Sequence, residues 1–391
     1  MSADKEFDIV LFGASGFTGR LVAEYIADTY DAGELRWAMA GRNAEKLSAV
    51  RDEIGAPADT PIIEADADDE DALLQLVRRT RVVITTVGPY QLYGEKLVSA
   101  CAHTGTDYVD LCGEPVWMRK MVDALEETAN ASGARIVFSC GFDSIPFDLG
   151  VYYLQDKAKA RFGTPLQKVR GRVRAMKGTF SGGTAASLKA TLAAAAKDPA
   201  MVELLKSPFA LTPGFQGPKQ PSGSRPKEDD ILGVWLAPFI MAPINTKNIH
   251  RSNMLLGHLY GEHFEYDEMM VTGSGEEGKA IAEKMASANP LGGDKGPKPG
   301  EGPSKEERET GMYDILFVGQ TASGEIMKAA VTGDRDPGYG STSKMIAESA
   351  LCLINECKDR AGGVLTPAPA FGLALVERLR KNAGLTFTIE D

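Results

Sequence analysis

The chain has 391 residues, 43% of them apolar, with a net charge of −11. That length exceeds one ordinary domain, so two domains, or one with a large insertion, are expected. An acidic surface with both signs interspersed argues against nucleic acid or an anionic membrane as the main partner.

In chain order, Phe7–Phe12 (FDIVLF) reads as a buried parallel strand, and Gly19–Asp28 changes to helical spacing. Strands are then expected at Arg36–Ala40, Thr60–Asp66, Val82–Val87, Asp107–Asp110 and Arg135–Cys140. Helices are expected between them at Ala44–Ile54, Asp69–Arg79, Glu95–Thr104 and Met118–Ser132. This alternation describes right-handed crossovers, an α/β fold with a doubly wound, Rossmann-type parallel sheet.

After residue 150 the rhythm is lost. Leu166–Met176 alternates as a strand, Gly182–Lys197 is an alanine-rich helix, and 207–230 and 287–310 read as mobile excursions. Arg251–Leu259 looks helical, Glu262–Val271 extended, and Met312–Gln320 with Glu325–Asp334 forms an antiparallel hairpin. Apolar-faced helices are expected at Ser343–Cys357 and Ala370–Lys381. The expected division is a dinucleotide-binding domain at 1–150, an inserted α+β substrate domain at 151–340, and a helical tail, 341–391, packing back on the first. Five scattered cysteines without a C-x-x-C pair indicate free thiols in a reducing compartment. Residues 1–8 hold no apolar signal core, and the longest apolar stretch, Leu232–Ile244, is interrupted by Pro238 and Pro243. A cytoplasmic protein without a membrane span is expected.

The strongest chemical signal is Gly13-Ala-Ser-Gly16-Phe-Thr-Gly19, directly after the first strand and opening the first helix. Gly13 permits a tight turn, Gly16 lets backbone N–H groups approach a pyrophosphate, and Gly19 lets helix and strand pack closely. The helix N-terminus favours the anion, with Ser15 and Thr18 as added hydroxyl donors. An NAD site usually ends its second strand with an acid for the ribose. Here the chain reads Ala38-Met-Ala-Gly-Arg42, and Arg42 suits the 2′-phosphate of NADP(H), with Lys46 in reserve. Arg42 could otherwise just begin a solvent-facing helix. Asp66, ending the third strand, either approaches the adenine or marks a helix start. Gly88 and Gly141, after the fourth and sixth strands, would let the chain pass close to the nicotinamide end of the cleft.

Together with Thr86-Val-Gly-Pro-Tyr90, Thr106–Glu114 and Gly141–Gly150, these motifs resemble the saccharopine dehydrogenase-like oxidoreductases. Ala242–Thr246, Arg251–Asn253 and Gly363–Pro367 are similar to its trans-acting enoyl reductase branch. The resemblance implies NADPH-dependent reduction of an enoyl thioester presented by a polyketide synthase that makes long-chain lipids. One departure is that 271–300 is rich in Glu, Lys and Gly where the branch carries an apolar stretch, which argues against membrane association.

For that chemistry Tyr90, Tyr93 and Asp143 are the catalytic candidates by position. A phenol can donate to an oxyanion, and Asp143 could serve as an acid if burial raised its pKa. Asp143 reads equally as a helix N-cap, and the tyrosines as packing. Arg251 is a candidate clamp for a carboxylate or phosphate, or a surface ion pair. No histidine spacing suggests a metal. Two alternatives stay open: a saccharopine-type amino-acid dehydrogenase, which needs a polar pocket for carboxylates, and a non-catalytic cofactor-binding scaffold. Leu232–Ile244 is expected to suit an acyl chain.

Overall fold

The computed structural model describes residues 5–31, 33–178, 198–288 and 301–390, with positions 187, 190, 191 and 193. The alanine-rich helix expected at Gly182–Lys197 lies, but for those four positions, outside the described residues, as does much of 287–310.

The first sheet is built on β1 (Phe7–Phe12), whose apolar run is buried on both faces. It pairs in parallel with β2 (Trp37–Gly41) on one side and β4 (Thr80–Thr85) on the other. Beyond them lie β3 (Ile62–Glu64), β5 (Asp107–Asp110) and β6 (Arg135–Val137). A final strand, β13 (Gly363–Leu365), joins β6 from the far end of the chain and completes the order β13-β6-β5-β4-β1-β2-β3. All pairings are parallel, and the strand order reverses between β1 and β4. That reversal opens a crevice at the carboxyl ends of these two strands, where Phe12 and Thr85 are level.

The second sheet is mixed, in the order β14-β12-β11-β7-β10-β9-β8. β7 (Lys168–Lys177) runs parallel to β10 (Glu265–Gly273) and antiparallel to β11 (Met312–Gln320). The expected hairpin is present: β11 pairs antiparallel with β12 (Ile326–Gly333). The other edge carries β9 (Trp235–Pro238) and the short β8 (Lys227–Glu228). Helix Ile145–Phe162 lies against this sheet, so close that a β-carbon on Gly150 would sit 2.4 Å from the Phe317 ring.

Several local expectations change. Segment 341–391 is not purely helical: besides helix Thr342–Asn355 it supplies β13 to the first sheet and β14 (Leu385–Glu390) to the second. Helix Thr342–Asn355 packs on β4, β5 and helix Phe17–Thr29. Segment 207–230 is no excursion, because Phe209, Leu211 and Thr212 are buried and Gln220 bonds the backbone at Phe264 and Tyr266. Part of Leu232–Ile244 is taken up by the fold's own packing. Leu236 and Ala237 are buried in β9, Phe239 packs on Phe147, and Ile244 is buried in helix Ala242–Leu255.

Candidate active site

The glycine turn has the shape that a dinucleotide needs. Gly13 adopts φ +91°, and a β-carbon on it would lie 2.6 Å from Val87 Cγ2. A β-carbon on Gly19 would lie 2.1 Å from the Gly13 carbonyl oxygen, so helix Phe17–Thr29 can meet β1 only with glycine there. At Gly16 the closest contact would be that same oxygen, at 3.3 Å, and Gly16 itself is exposed. The helix begins with no side-chain cap and no acid in its first turn. Its leading N–H groups are thus open to an anion. Ser15 is exposed and Thr18 half-buried on this turn.

Arg42 follows β2 directly and is exposed, with no hydrogen bond or ion pair to the other described residues. It does not begin the next helix; Asn43 does, accepting from the Lys46 N–H at 2.8 Å. A β-carbon on Gly41 would lie 3.9 Å from Ser15 Oγ, so Arg42 stands beside the glycine turn. Asp66 is exposed beyond β3 and accepts from the Asp68 N–H at 3.0 Å. The cap of helix Glu70–Arg79 is Asp69, so the helix-start reading of Asp66 is set aside.

Beyond the carboxyl ends of β4, β5 and β6 three loops meet. Gly88 is exposed in the first of them. Tyr90 does not point its phenol at the cleft. It is buried, its hydroxyl donates to the Thr85 carbonyl at 3.1 Å and accepts from the Leu111 N–H at 3.0 Å. Burial, with Asp110 and Cys112 nearby, pushes that phenol well above its ordinary range. Glu114 accepts from the N–H groups of Tyr90 and Gln91, both at 2.9 Å. Tyr90 therefore braces two strand-end loops, which corrects its expected catalytic position. Tyr93 is 42% exposed on the same short helix, and its hydroxyl makes no hydrogen bond to the other described residues.

Asp143 is largely buried and its carboxyl accepts no hydrogen bond from the described residues. The cap position of helix Ile145–Phe162 belongs to Ser144, so the N-cap reading of Asp143 does not hold. A β-carbon on Gly113, in the loop after β5, would lie 3.6 Å from Asp143 Oδ2, which places the carboxyl among these loops. Burial raises its pKa to about 7.

Helix Ala242–Leu255 brings further polar groups to this region that sequence reasoning missed. Asn248 Nδ2 donates to Ser144 Oγ at 2.8 Å, and Asn245 Nδ2 donates to Glu268 Oε1 at 2.8 Å. Tyr266 adds its hydroxyl to Glu268 Oε2 at 2.7 Å. A signal was available: two adjacent acids interrupt the apolar β10, and two asparagines one turn apart weaken a helix that packing must then support. Arg251, by contrast, is not a substrate clamp. It is buried, bound to Glu126 at 2.8 Å and to the carbonyls of Leu211 and Val364. Cys112 and Cys140 are buried free thiols, both pushed up chiefly by that burial. Among the described residues no helix is long and apolar enough to cross a membrane.

Comparison with known proteins agrees with this layout. Residues 9–137 match the saccharopine dehydrogenase NADP-binding domain. Over 404 residues, 96% of each chain, the sequence is 43% identical to a Mycobacterium tuberculosis protein provisionally named a trans-acting enoyl reductase. It is 37% identical to the trans-acting enoyl reductase of Mycobacterium ulcerans, across 97% of this chain and 96% of that one. The fold resembles that of saccharopine dehydrogenase (L-Glu forming) from Saccharomyces cerevisiae, with a TM-score of 0.54 at 13% identity, covering 98% and 100% of the two chains. An uncapped glycine turn on a Rossmann-type sheet, matched along nearly its whole length by named reductases, places the chain: it belongs to the saccharopine dehydrogenase-like oxidoreductases, in their trans-acting enoyl reductase branch, and is an NADP-dependent oxidoreductase.

Proposed function

We propose that the chain reduces the carbon–carbon double bond of an enoyl thioester with NADPH, acting in the cytoplasm on acyl groups presented by a polyketide synthase. The observation that carries the reading is Asp143. A carboxyl at the carboxyl end of the parallel sheet, largely buried, without a hydrogen bond from the described residues and with its pKa raised to about 7, is partly protonated at neutral pH and can give up that proton. Enoyl reduction needs such a donor at the α-carbon. The names of the relatives support the same reaction class.

NADPH fits the residues present. The Gly13–Gly19 turn would hold the pyrophosphate on the open N–H groups of helix Phe17–Thr29, and the exposed Arg42 would hold the 2′-phosphate. Asp66, at the end of β3, borders the adenosine, and Gly88 lets the loop after β4 approach the nicotinamide. The nicotinamide, when bound, supplies the hydride for the β-carbon. Asp143 then protonates the α-carbon. Tyr93, whose hydroxyl makes no hydrogen bond to the other described residues, is the phenol able to donate to the thioester oxygen as charge develops there.

A saccharopine-type substrate would need cations to meet its carboxylates. Among the described residues of the second half, buried Arg172 is committed to Asp229 and Asp267 and Arg251 to Glu126, while buried Lys247 donates to the carbonyls of Leu205 and Pro243. Asp143 and Glu268 add no positive charge to meet it. With purified protein, NADPH oxidation is expected with α,β-unsaturated acyl thioesters and no NADP⁺ reduction with saccharopine. Asp143→Asn should lower kcat about a hundredfold, the low end for loss of a general acid, with little change in the KM for NADPH. Turnover of saccharopine without turnover of any enoyl thioester would overturn the reading.

A further inference from the structure

The glycine turn is not shaped by the first sheet alone. Phe17, the first residue of helix Phe17–Thr29, is half-buried, and its ring meets segments from the second half of the chain. A β-carbon on Gly302 would lie 2.4 Å from that ring, so the backbone there passes directly against it. Tyr339 meets the same ring edge-on, with centroids 5.2 Å apart. Two guanidinium groups complete the surroundings. Those of Arg308 and Arg20 each stand 5.8 Å from the Phe17 centroid, within reach of the negative charge on an aromatic face.

The two cations differ in what they are already bound to. Arg20 is paired with Glu53 at 2.8 Å. Arg308, half-buried, donates through Nη1 to the Pro303 carbonyl at 2.8 Å and has no ion pair among the described residues. Asp336 feels its charge from beyond ion-pair distance, and gives its oxygens to the N–H groups of Tyr339 and Gly340. The backbone fixes where Arg308 stands. Helix Lys305–Glu309 is closed at its start by the reciprocal Ser304–Glu307 cap, and the Asp336 N–H donates to the Arg308 carbonyl at 2.9 Å. A β-carbon on Gly340 would lie 2.9 Å from that carbonyl oxygen, so glycine lets the next turn close on it. A cation is ordinarily disfavoured beside a helix N-terminus, where the macrodipole is positive. Here an anion would satisfy both.

Resting on the reading that the Gly13–Gly19 turn takes a dinucleotide, we propose that Arg308 is a second cation for the cofactor, supplied from the second half of the chain to the pyrophosphate, with the Phe17 ring as its platform. Its Nε and Nη2 have no partner among the described residues, which leaves one edge of the planar fork for a phosphate. In the same reading Arg42 serves the 2′-phosphate, which NADPH alone carries. Arg308 serves the charge that NADPH and NADH share. The two arginines therefore divide the work: one selects between the cofactors, the other holds both.

Fluorescence titration of the full-length protein with NADPH and with NADH tests this without any acyl substrate. Arg308→Ala should weaken both cofactors alike, by about tenfold to a hundredfold, the range for hydrogen bonds to a charged group. Arg308→Lys should restore part of the affinity, because the charge is kept and the fork is lost. Added salt should weaken binding by the wild type more steeply than binding by Arg308→Ala. Phe17→Leu should cost part of the same affinity, and the Phe17→Leu, Arg308→Ala double variant should bind no more weakly than Arg308→Ala alone. Multiplied losses would overturn the shared role of ring and guanidinium. Thermal unfolding without cofactor separates a structural role: a lowered Tm in Arg308→Ala with unchanged cofactor affinity overturns the proposal. A loss confined to NADPH overturns it too, since Arg308 would then serve the 2′-phosphate. Gly16→Val keeps this inference distinct from the reading it rests on. It should abolish binding of both cofactors, and retained binding would remove the dinucleotide from the turn and Arg308 with it. Binding abolished by Gly16→Val but untouched by Arg308→Ala rejects Arg308 alone.

Discussion

Arg42 shows how much of the cofactor site a sequence discloses. Its place after β2 followed from the strand pattern and the lack of an acid there, and the structure leaves its guanidinium exposed beside the glycine turn. Arg42→Ala should weaken NADPH binding by about 1.5–3 kcal/mol, the range for a hydrogen bond to a charged group, and leave NADH nearly unchanged. Fluorescence titration of both cofactors measures this, and equal losses would reject the assignment. The glycine motif was legible because each glycine has a local backbone cause. The proposed proton donor was only half legible. Asp143 could be named from its strand end, but its lack of a cap role depends on Ser144 taking that position. Glu268 escaped notice because its meaning comes from Asn245 and Tyr266, and from a cation that goes to Asp267 instead. Tyr90 misled for the opposite reason: its hydroxyl is spent on the Thr85 and Leu111 backbone, which no local pattern reveals.

At the scale of elements, the parallel strands were readable because both of their faces are buried, which writes them as continuous apolar runs. β13 was not, since three residues carry no periodicity and its partner β6 lies far away in the chain. β14 did carry a signal: Leu385, Phe387 and Ile389 alternate with threonines, and burial follows the first two. In the second sheet, an internal ion cluster fixes how β7 meets β10 and the turn before β9. Arg172 is 1% exposed and reaches Asp229 at 2.7 Å and Asp267 at 3.1 Å. Arg172→Met would leave two buried carboxylates facing each other without it. The variant should lose about 3–5 kcal/mol of stability in urea denaturation, the cost of breaking a buried ion pair on one side. A loss below about 1 kcal/mol would mean that Lys227 and the backbone suffice to hold the cluster.

At the scale of the molecule, Asp148 joins parts that the chain order keeps separate. From helix Ile145–Phe162 its Oδ2 accepts from Ser252 at 2.7 Å and from the Ala368 N–H at 2.8 Å, while Oδ1 has no partner among the described residues. Burial raises its pKa from 3.8 to about 7 against those two hydrogen bonds. The folded chain thus binds this proton more tightly than the unfolded chain, so its contribution is full below pH 3.8 and fades as pH rises toward 7. Relative to Asp148→Asn, the wild type should lose stability over that window and change little above it. A difference that grows with pH would contradict the assignment. The central claim is the proposal that the crevice beyond β1 and β4 transfers hydride from NADPH to an enoyl thioester, with a proton from Asp143. The most direct measurement is incubation with NADPH deuterated at nicotinamide C4, on each face in turn, followed by mass spectrometry of the acyl product. The account predicts that one face delivers deuterium to the β-carbon, while the α-carbon takes its hydrogen from solvent. Deuterium at neither position, or an acyl chain recovered with its double bond intact, would contradict it.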